Sequence, residues 1–209
     1  MGTKRQIVNA MLLSTGERQH NTLNTQHPSV LTAIGKVDAK DQEFQSRGYW
    51  FNRDRHVRLI PDADGIVHIP DNHLSFSLVS PTLQRSTYEG KVRYVARGNK
   101  LYDSFDHTYV IKELSLYADI ITQLPIEELP PVAFSYLQAL CVQEFYEDDD
   151  GDLQKASKLE ERKVFAWNAL RVEELRAIGT SMHDRPAVQA MNYRIGGTQY
   201  NPRWPGGIR

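Results

Sequence analysis

The chain has a single cysteine, Cys141, so it forms no internal disulfide. Cys141 lies within a strongly apolar helical pattern, and the expectation for it is a buried small hydrophobe rather than a reactive thiol. Long apolar runs are also missing. No stretch approaches the roughly 18 apolar residues of a membrane span, and Met1 to Gly16 is too short and too polar in its flanks for a secretory signal. The protein is therefore expected in the cytoplasm where it is made. An excess of one charge is absent too: 25 Lys and Arg stand against 26 Asp and Glu, a formal net charge of −1. That removes the bulk electrostatics of a generic DNA binder and leaves room only for a local basic patch. There is no Gly-x-Ser-x-Gly elbow, no phosphate-binding loop and no dinucleotide fingerprint. The seven histidines show no zinc-like spacing, the pair Gly196-Gly197 lacks a strand–helix context, and no internal repeat is present.

What is there suffices for a core. Of the 209 residues, 40% are hydrophobic and 10% aromatic, which fits one domain or two small ones packed together. The stretch Phe44 to Pro70 marks a change of architecture. Up to Arg47 the pattern is helical, and Gly48 stands where a helix C-terminus favours a left-handed backbone. From Tyr49 onward it predicts strand: Tyr49-Trp50-Phe51 are bulky β-formers, and Val57 and Leu59 alternate with His56 and Arg58. Val67 and Ile69 repeat the alternation after Pro61–Gly65, whose Asp64-Gly65 pair predicts a hairpin.

Elsewhere the elements follow from periodicity. Ile7, Val8, Met11 and Leu12 predict a helix over Lys4–Thr15 closed by Gly16, and Pro28 opens a second with Val30, Ile34, Val37 and Phe44 on one face. Asp41 breaks that stripe without an evident reason. Phe76 and Leu78 predict a strand stopped by Pro81, with a long connection from Thr82 to Gly90. Val92, Tyr94 and Ala96 predict another strand, turning at Gly98-Asn99, and Tyr109 to Ile121 a long one. Pro130 and Pro131 begin a helix carrying Ala133, Phe134, Leu137, Leu140, Cys141 and Phe145. After the acidic run Glu147–Asp152, Leu153 to Ile178 forms a long helix antiparallel to it. The expected fold is α+β: a bundle of about four helices from residues 1–47 and 125–180, an inserted antiparallel β domain of residues 48–124, and an extended C-terminal arm of residues 181–209.

Three clusters invite a chemical reading. Asp148-Asp149-Asp150-Gly151-Asp152 suggests calcium, but the glycine is misplaced for an EF-hand and Leu159 falls where a bidentate Glu belongs. A helix-breaking turn with Asp152 as N-cap accounts for the run. Asp62, Asp64, His68, Asp71 and His73 group potential ligands or acid–base carboxylates, yet turn geometry explains most of them. Arg47, Arg53, Arg55 and Arg58 surround Tyr49-Trp50-Phe51 as a nucleic-acid platform would, but Asp54 interrupts them and packing is the expected role. Accordingly no catalytic residue, cofactor or metal site is expected.

The segments QSRGYWFN (Gln45–Asn52), Leu59–Pro61, IPDNHLSFSL (Ile69–Leu78) and RGNKLYD (Arg97–Asp103) resemble the tail tubular protein A family of T7-like short-tailed phages. The similarity runs from about Val8 to Phe145. It implies a structural virion protein: a homo-oligomeric ring, dodecameric in that family, between portal protein and tail nozzle (tubular protein B). DNA passes through its lumen during ejection without sequence-specific binding. Tail fibre contacts are also implied, and a membrane is not. In that setting Arg185, Tyr193, Arg194, Tyr200, Arg203 and Trp204 are expected to bind a partner, portal above all. The arm from Arg185 to Arg209 has four arginines and no acidic residue, with aromatic anchors between them. Two other functions remain open at this stage, a tail-associated glycan hydrolase using the Asp62–His73 region and a nucleic-acid-binding module using the basic arm.

Overall fold

The computed structural model describes residues 2–79, 87–88, 91–148 and 152–179. Helices α1 (Lys4–Thr15) and α2 (Pro28–Ser46) come first, followed by strands β1 (Arg53–Leu59), β2 (His73–Leu78), β3 (Thr87–Tyr88), β4 (Lys91–Val92), β5 (Tyr94–Arg97), β6 (Lys100–Asp103) and β7 (Leu116–Thr122). A short 3-10 turn, Ile126–Glu128, leads into α3 (Pro131–Asp148) and α4 (Leu153–Ile178). The protein is α+β, as the sequence predicts. Among the described residues no helix is long and apolar enough to cross a membrane. The C-terminal arm, the middle of the connection after β2, and Asp149, Asp150 and Gly151 lie outside the described residues.

The first two helices begin for local reasons. Thr3 caps α1 in a reciprocal box with Gln6, its hydroxyl accepting from the Gln6 N–H while Gln6 Oε1 accepts from the Thr3 N–H at 2.9 Å. Gly16 ends α1 in a left-handed conformation. Pro28 occupies the first turn of α2, where its missing N–H costs nothing. Ile7, Val8, Met11 and Leu12 from α1, Val30 and Val37 from α2, and Leu137 and Cys141 from α3 meet in a fully buried core. α4 runs antiparallel to α3: Trp167 meets Tyr136 at 5.1 Å with the rings tilted, Lys163 donates to Gln143 Oε1, and the Asp152 N–H donates to the Tyr146 hydroxyl. Only Leu159 and Leu170 of α4 are buried, whereas Leu153, Leu175 and Ile178, expected on the same buried stripe, are exposed. α4 packs chiefly on α3, with Lys155 donating to the Ser14 carbonyl of α1, and these contacts do not cover so broad an apolar circumference.

Three strand expectations are corrected. Tyr49-Trp50-Phe51 is not strand but a turn, because Asn52 folds the chain there. Its Oδ1 accepts from the Tyr49 N–H at 2.8 Å, and its Nδ2 donates to the carbonyls of Gln45 and Thr122 at 2.9 and 3.0 Å. The predicted pairing of Val57–Leu59 with Val67–Ile69 does not form. β1 pairs instead with β7, the centre of an antiparallel sheet ordered β1-β7-β2. The Asp62–Gly65 turn itself is present, with the Gly65 N–H donating to Asp62 O at 3.0 Å and Gly65 at φ +78°. Beyond it Ile66 bridges Val110 and His68 bridges Lys100, so the segment crosses to the β5–β6 hairpin. Finally, the strand expected from Tyr109 shrinks to Leu116–Thr122, since residues 109–115 are drawn away from the sheet by Ile111 N–H donating to Gly65 O and Tyr94 O–H donating to Glu113. The β5–β6 hairpin does turn at Gly98-Asn99. A second core gathers here, with Val67, Leu101, Ala118 and Ile120 at its centre.

Asp41 is the misfit of the α2 stripe, and the structure gives it a role. It is buried, and its two carboxylate oxygens accept from Gln45 Nε2 at 2.8 Å and Gln123 Nε2 at 2.9 Å. Gln45, fully buried, also donates to Leu124 O and accepts from Leu124 N–H, both at 2.8 Å. This network fastens the segment after β7 to the helix before β1.

Candidate assembly surface

The clusters that invite chemistry are consumed by local structure. Asp62 Oδ1 accepts from the backbone N–H of Ile66 at 2.8 Å and of Asp64 at 3.0 Å, and Oδ2 meets His68 Nε2 at 3.1 Å. The Ile66 amide above all, with His68 and Asp64, holds this carboxyl below the ordinary value of 3.8. A catalytic acid needs the opposite shift. The ring of His73 is tied by Nδ1 to its own turn, at Pro70 O. Thus Asp62 and His68 come together, while His73 is engaged separately. Among the described residues no group of three or more His, Cys, Asp or Glu is placed to hold a metal. Asp152 caps α4 by accepting from the Gln154 N–H at 3.1 Å. Burial pushes the Cys141 thiol up to about 12, so it carries no thiolate at neutral pH.

The aromatic run is packing. Tyr49 is buried and stacks on Phe51 at 5.6 Å with near-parallel rings. Phe44 lies 4.8 Å from Tyr49, and Trp50 meets Phe51 edge-on. These rings cover the end of the helical core, and half-buried Trp50 also lines a cavity of about 380 Å³ with Arg53, Arg55 and Glu174. Arg53 spends one guanidinium N–H on the Arg47 carbonyl, and Arg47 faces Glu43.

What the fold leaves unused is apolar surface on α4. Phe165 is 77% exposed and Leu153 86%, and Val164, Val172 and Ile178 are each about half exposed. At 3.6 residues per turn, Val164, Phe165 and Val172 project away from the face that buries Leu159 and Leu170. Beside them a groove of about 910 Å³ opens between α1, α3 and α4, floored by Leu13, Ala139 and Val142 and rimmed by Phe165, Lys158 and Arg162. Neither Lys158 nor Arg162 has a carboxylate partner among the described residues. Large apolar side chains exposed beside such a groove, edged with charge, favour a contact site over a purely solvated face. Such an arrangement can bind a protein surface. Sequence reasoning missed Phe165, Val164 and Val172, although a helix apolar on two faces was visible signal. The residues it did select, Arg185, Tyr193, Arg194, Tyr200, Arg203 and Trp204, lie outside the described residues.

The model of a family described as Tail tubular protein matches residues 6–176, thus spanning the helices and the strands alike. No curated protein matches the chain.

Proposed function

The chain belongs to the tail tubular protein family and is a structural component of a phage tail, and from that premise we propose that it is the protomer of an adaptor ring between portal and tail nozzle, through whose lumen DNA is ejected. The observation that carries this reading is the family match over residues 6–176, which includes every described helix and strand in whole or in large part. The exposed apolar face of α4 supports it, because a subunit destined for assembly leaves uncovered what its neighbours will cover. A net charge of −1 accords with a channel that lets DNA slide without gripping it.

In the same reading the protomer is modular. Residues 1–47 and 125–180 form the bundle, residues 48–124 the inserted β unit, and residues 181–209 an arm that engages portal through Arg185, Tyr193, Arg194, Tyr200, Arg203 and Trp204. The ring is dodecameric, meets the nozzle on its other side with tail fibres as a further neighbour, and performs no catalysis. It is built in the host cytoplasm and ends in the virion. Native mass spectrometry and negative-stain imaging of the purified chain, alone and with isolated portal rings, test this. The expected result is a ring in at least the second condition. A strictly monomeric particle in both would overturn it.

A further inference from the structure

Between the start of β1 and the last turns of α4 lies the cavity of about 380 Å³, walled by Gly48, Trp50, Arg53 and Arg55 on one side and by Glu174 and Ile178 on the other. Both arginines reach it, whereas Asp54 between them does not. Gly48 makes room for the first. A Cβ there would fall 2.9 Å from Arg53 Nη2, and that nitrogen donates to the Arg47 carbonyl at 3.3 Å, which fixes the guanidinium over the turn. Among the described residues neither Arg53 nor Arg55 has a carboxylate partner, and half-buried Glu174 has no cationic one. The cavity therefore holds two positive charges and one negative charge that do not pair with each other. A separate observation points the same way. Tyr49 also lines the cavity and is only 4% exposed, yet its hydroxyl makes no hydrogen bond within the described protein. The charges of Arg47 and Glu174 both act on that hydroxyl, which sets it on the α4 side. Burial above all pushes the phenol up to about 12, so it keeps its proton and remains a donor without an acceptor.

We propose that this cavity takes an acidic side chain of a partner protein, its carboxylate held by the Arg53 and Arg55 guanidinium groups and the apolar residue beside it seated against Trp50 and Ile178. Guanidinium forks grip a carboxylate through paired hydrogen bonds. Tryptophan, tyrosine and arginine are also the side chains that anchor protein contacts most strongly. The volume sits at the low end of the roughly 300–1,000 Å³ of ligand sites, room for side chains rather than for a helix. The charge on the walls then selects the acid. Two guanidinium groups less one carboxylate leave a net charge that a single carboxylate matches. A nucleic-acid strand would bring a phosphate on every nucleotide past Glu174 and be repelled there. Glu174 accepts instead from a backbone N–H of the docked segment. The inference needs only that the chain is a tail component built against other proteins, and it does not depend on a ring.

Fluorescence anisotropy of the full-length chain tests it with three labelled probes: the blocked peptide Gly-Asp-Phe-Gly, its Gly-Asn-Phe-Gly counterpart, and a single-stranded oligonucleotide. The acidic peptide should bind about tenfold or more tighter than the asparagine one. Arg55 is exposed and makes no ion pair among the described residues, so Arg55→Ala should melt with wild type while losing about tenfold or more in affinity for the acidic peptide. Glu174→Gln should disturb the acidic peptide far less than Arg55→Ala does, and it should strengthen binding of the oligonucleotide. Equal binding of the two peptides, or none, overturns the inference. So does an Arg55→Ala protein that binds the acidic peptide as wild type does, because the carboxylate then sits elsewhere. A wild-type chain that prefers the oligonucleotide makes the cavity a nucleic-acid contact, and the inference also falls. None of these results touches the ring reading, which the assembly experiment with portal decides.

Discussion

Replacing Gln45 with alanine tests the joint between the helices and the sheet. The side chain is fully buried and makes three contacts at 2.8 Å: Nε2 to Asp41 Oδ1, Nε2 to Leu124 O, and Oε1 from Leu124 N–H. Truncation strands the N–H and C=O of Leu124, at roughly 1–3 kcal/mol for each unsatisfied buried group. Asp41 keeps its bond from Gln123, so its loss is partial. The sum is about 2–6 kcal/mol, a large share of the 5–15 kcal/mol typical of a folded domain. For a chain of this size each kcal/mol lowers Tm by roughly 2–4 °C, so a fall of about 10 °C is expected in a thermal melt followed by circular dichroism. Gln45→Glu separates hydrogen bonding from packing. It keeps the side-chain volume and the acceptor for Leu124 N–H, but it sets a second carboxylate against Asp41. Its deficit should therefore be largest at neutral pH and shrink under acid, when a protonated carboxyl can donate again. A Gln45→Ala protein that melts within 2 °C of wild type would refute the claim that this amide holds the joint.

Burial raises the carboxyl of Asp41 above its ordinary 3.8, with the Gln45 and Gln123 donors opposing the shift only in part. The folded chain thus holds this proton where the unfolded chain has released it, so the stabilisation is complete below about 3.8 and lost as pH rises through the folded value. Urea midpoints of wild type should fall relative to Asp41→Asn as pH increases from 4 to 7, and parallel curves would count against the assignment. Gly48→Ala forces a side chain into a backbone at φ +69° and against Ile121, at a cost of about 2–4 kcal/mol; Gly16→Ala, where no atom lies near, should cost less in the same denaturant titration. Asp62→Asn with Asp64→Asn should leave assembly and infectivity nearly unchanged in a plaque assay, and loss of a measurable hydrolytic activity would contradict a purely structural turn. Truncation after Gly179 should preserve the melting transition, since both apolar cores end before that residue, while weakening co-sedimentation with portal rings. Undiminished co-sedimentation would remove the arm from the portal contact.

The helices were legible because their signals are local. The spacing of Ile7, Val8, Met11 and Leu12, the proline at 28 and the glycines at 16 and 179 each act within one or two turns. The strand partners were not, because β7 pairs with residues some sixty positions before it, and nothing near Val57 announces Ala118 as its neighbour. Asp64-Gly65 did make a turn, but a turn constrains only its own four residues. Tyr49-Trp50-Phe51 followed propensity in the wrong direction because one side chain, Asn52, outbid it with three buried hydrogen bonds. As for the surface, the sequence pointed to the aromatic arm, whereas the exposed ridge of α4 became visible only once α3 was seen to cover a single side of it.

Asn52 has a mechanical meaning beyond stability. Its amide holds Gln45 on the way out of the helices and Thr122 on the way back, so both crossings of the chain are gathered at one point. Beside that point Gln45 binds Leu124, Asp41 binds Gln123, and α2 packs on β2 and β7, so the near end of the sheet is clamped to the helices at several places. β1 spans seven residues, or about 23 Å, and carries the orientation set at that clamp out to Leu59 and its partner Leu116 at the far end.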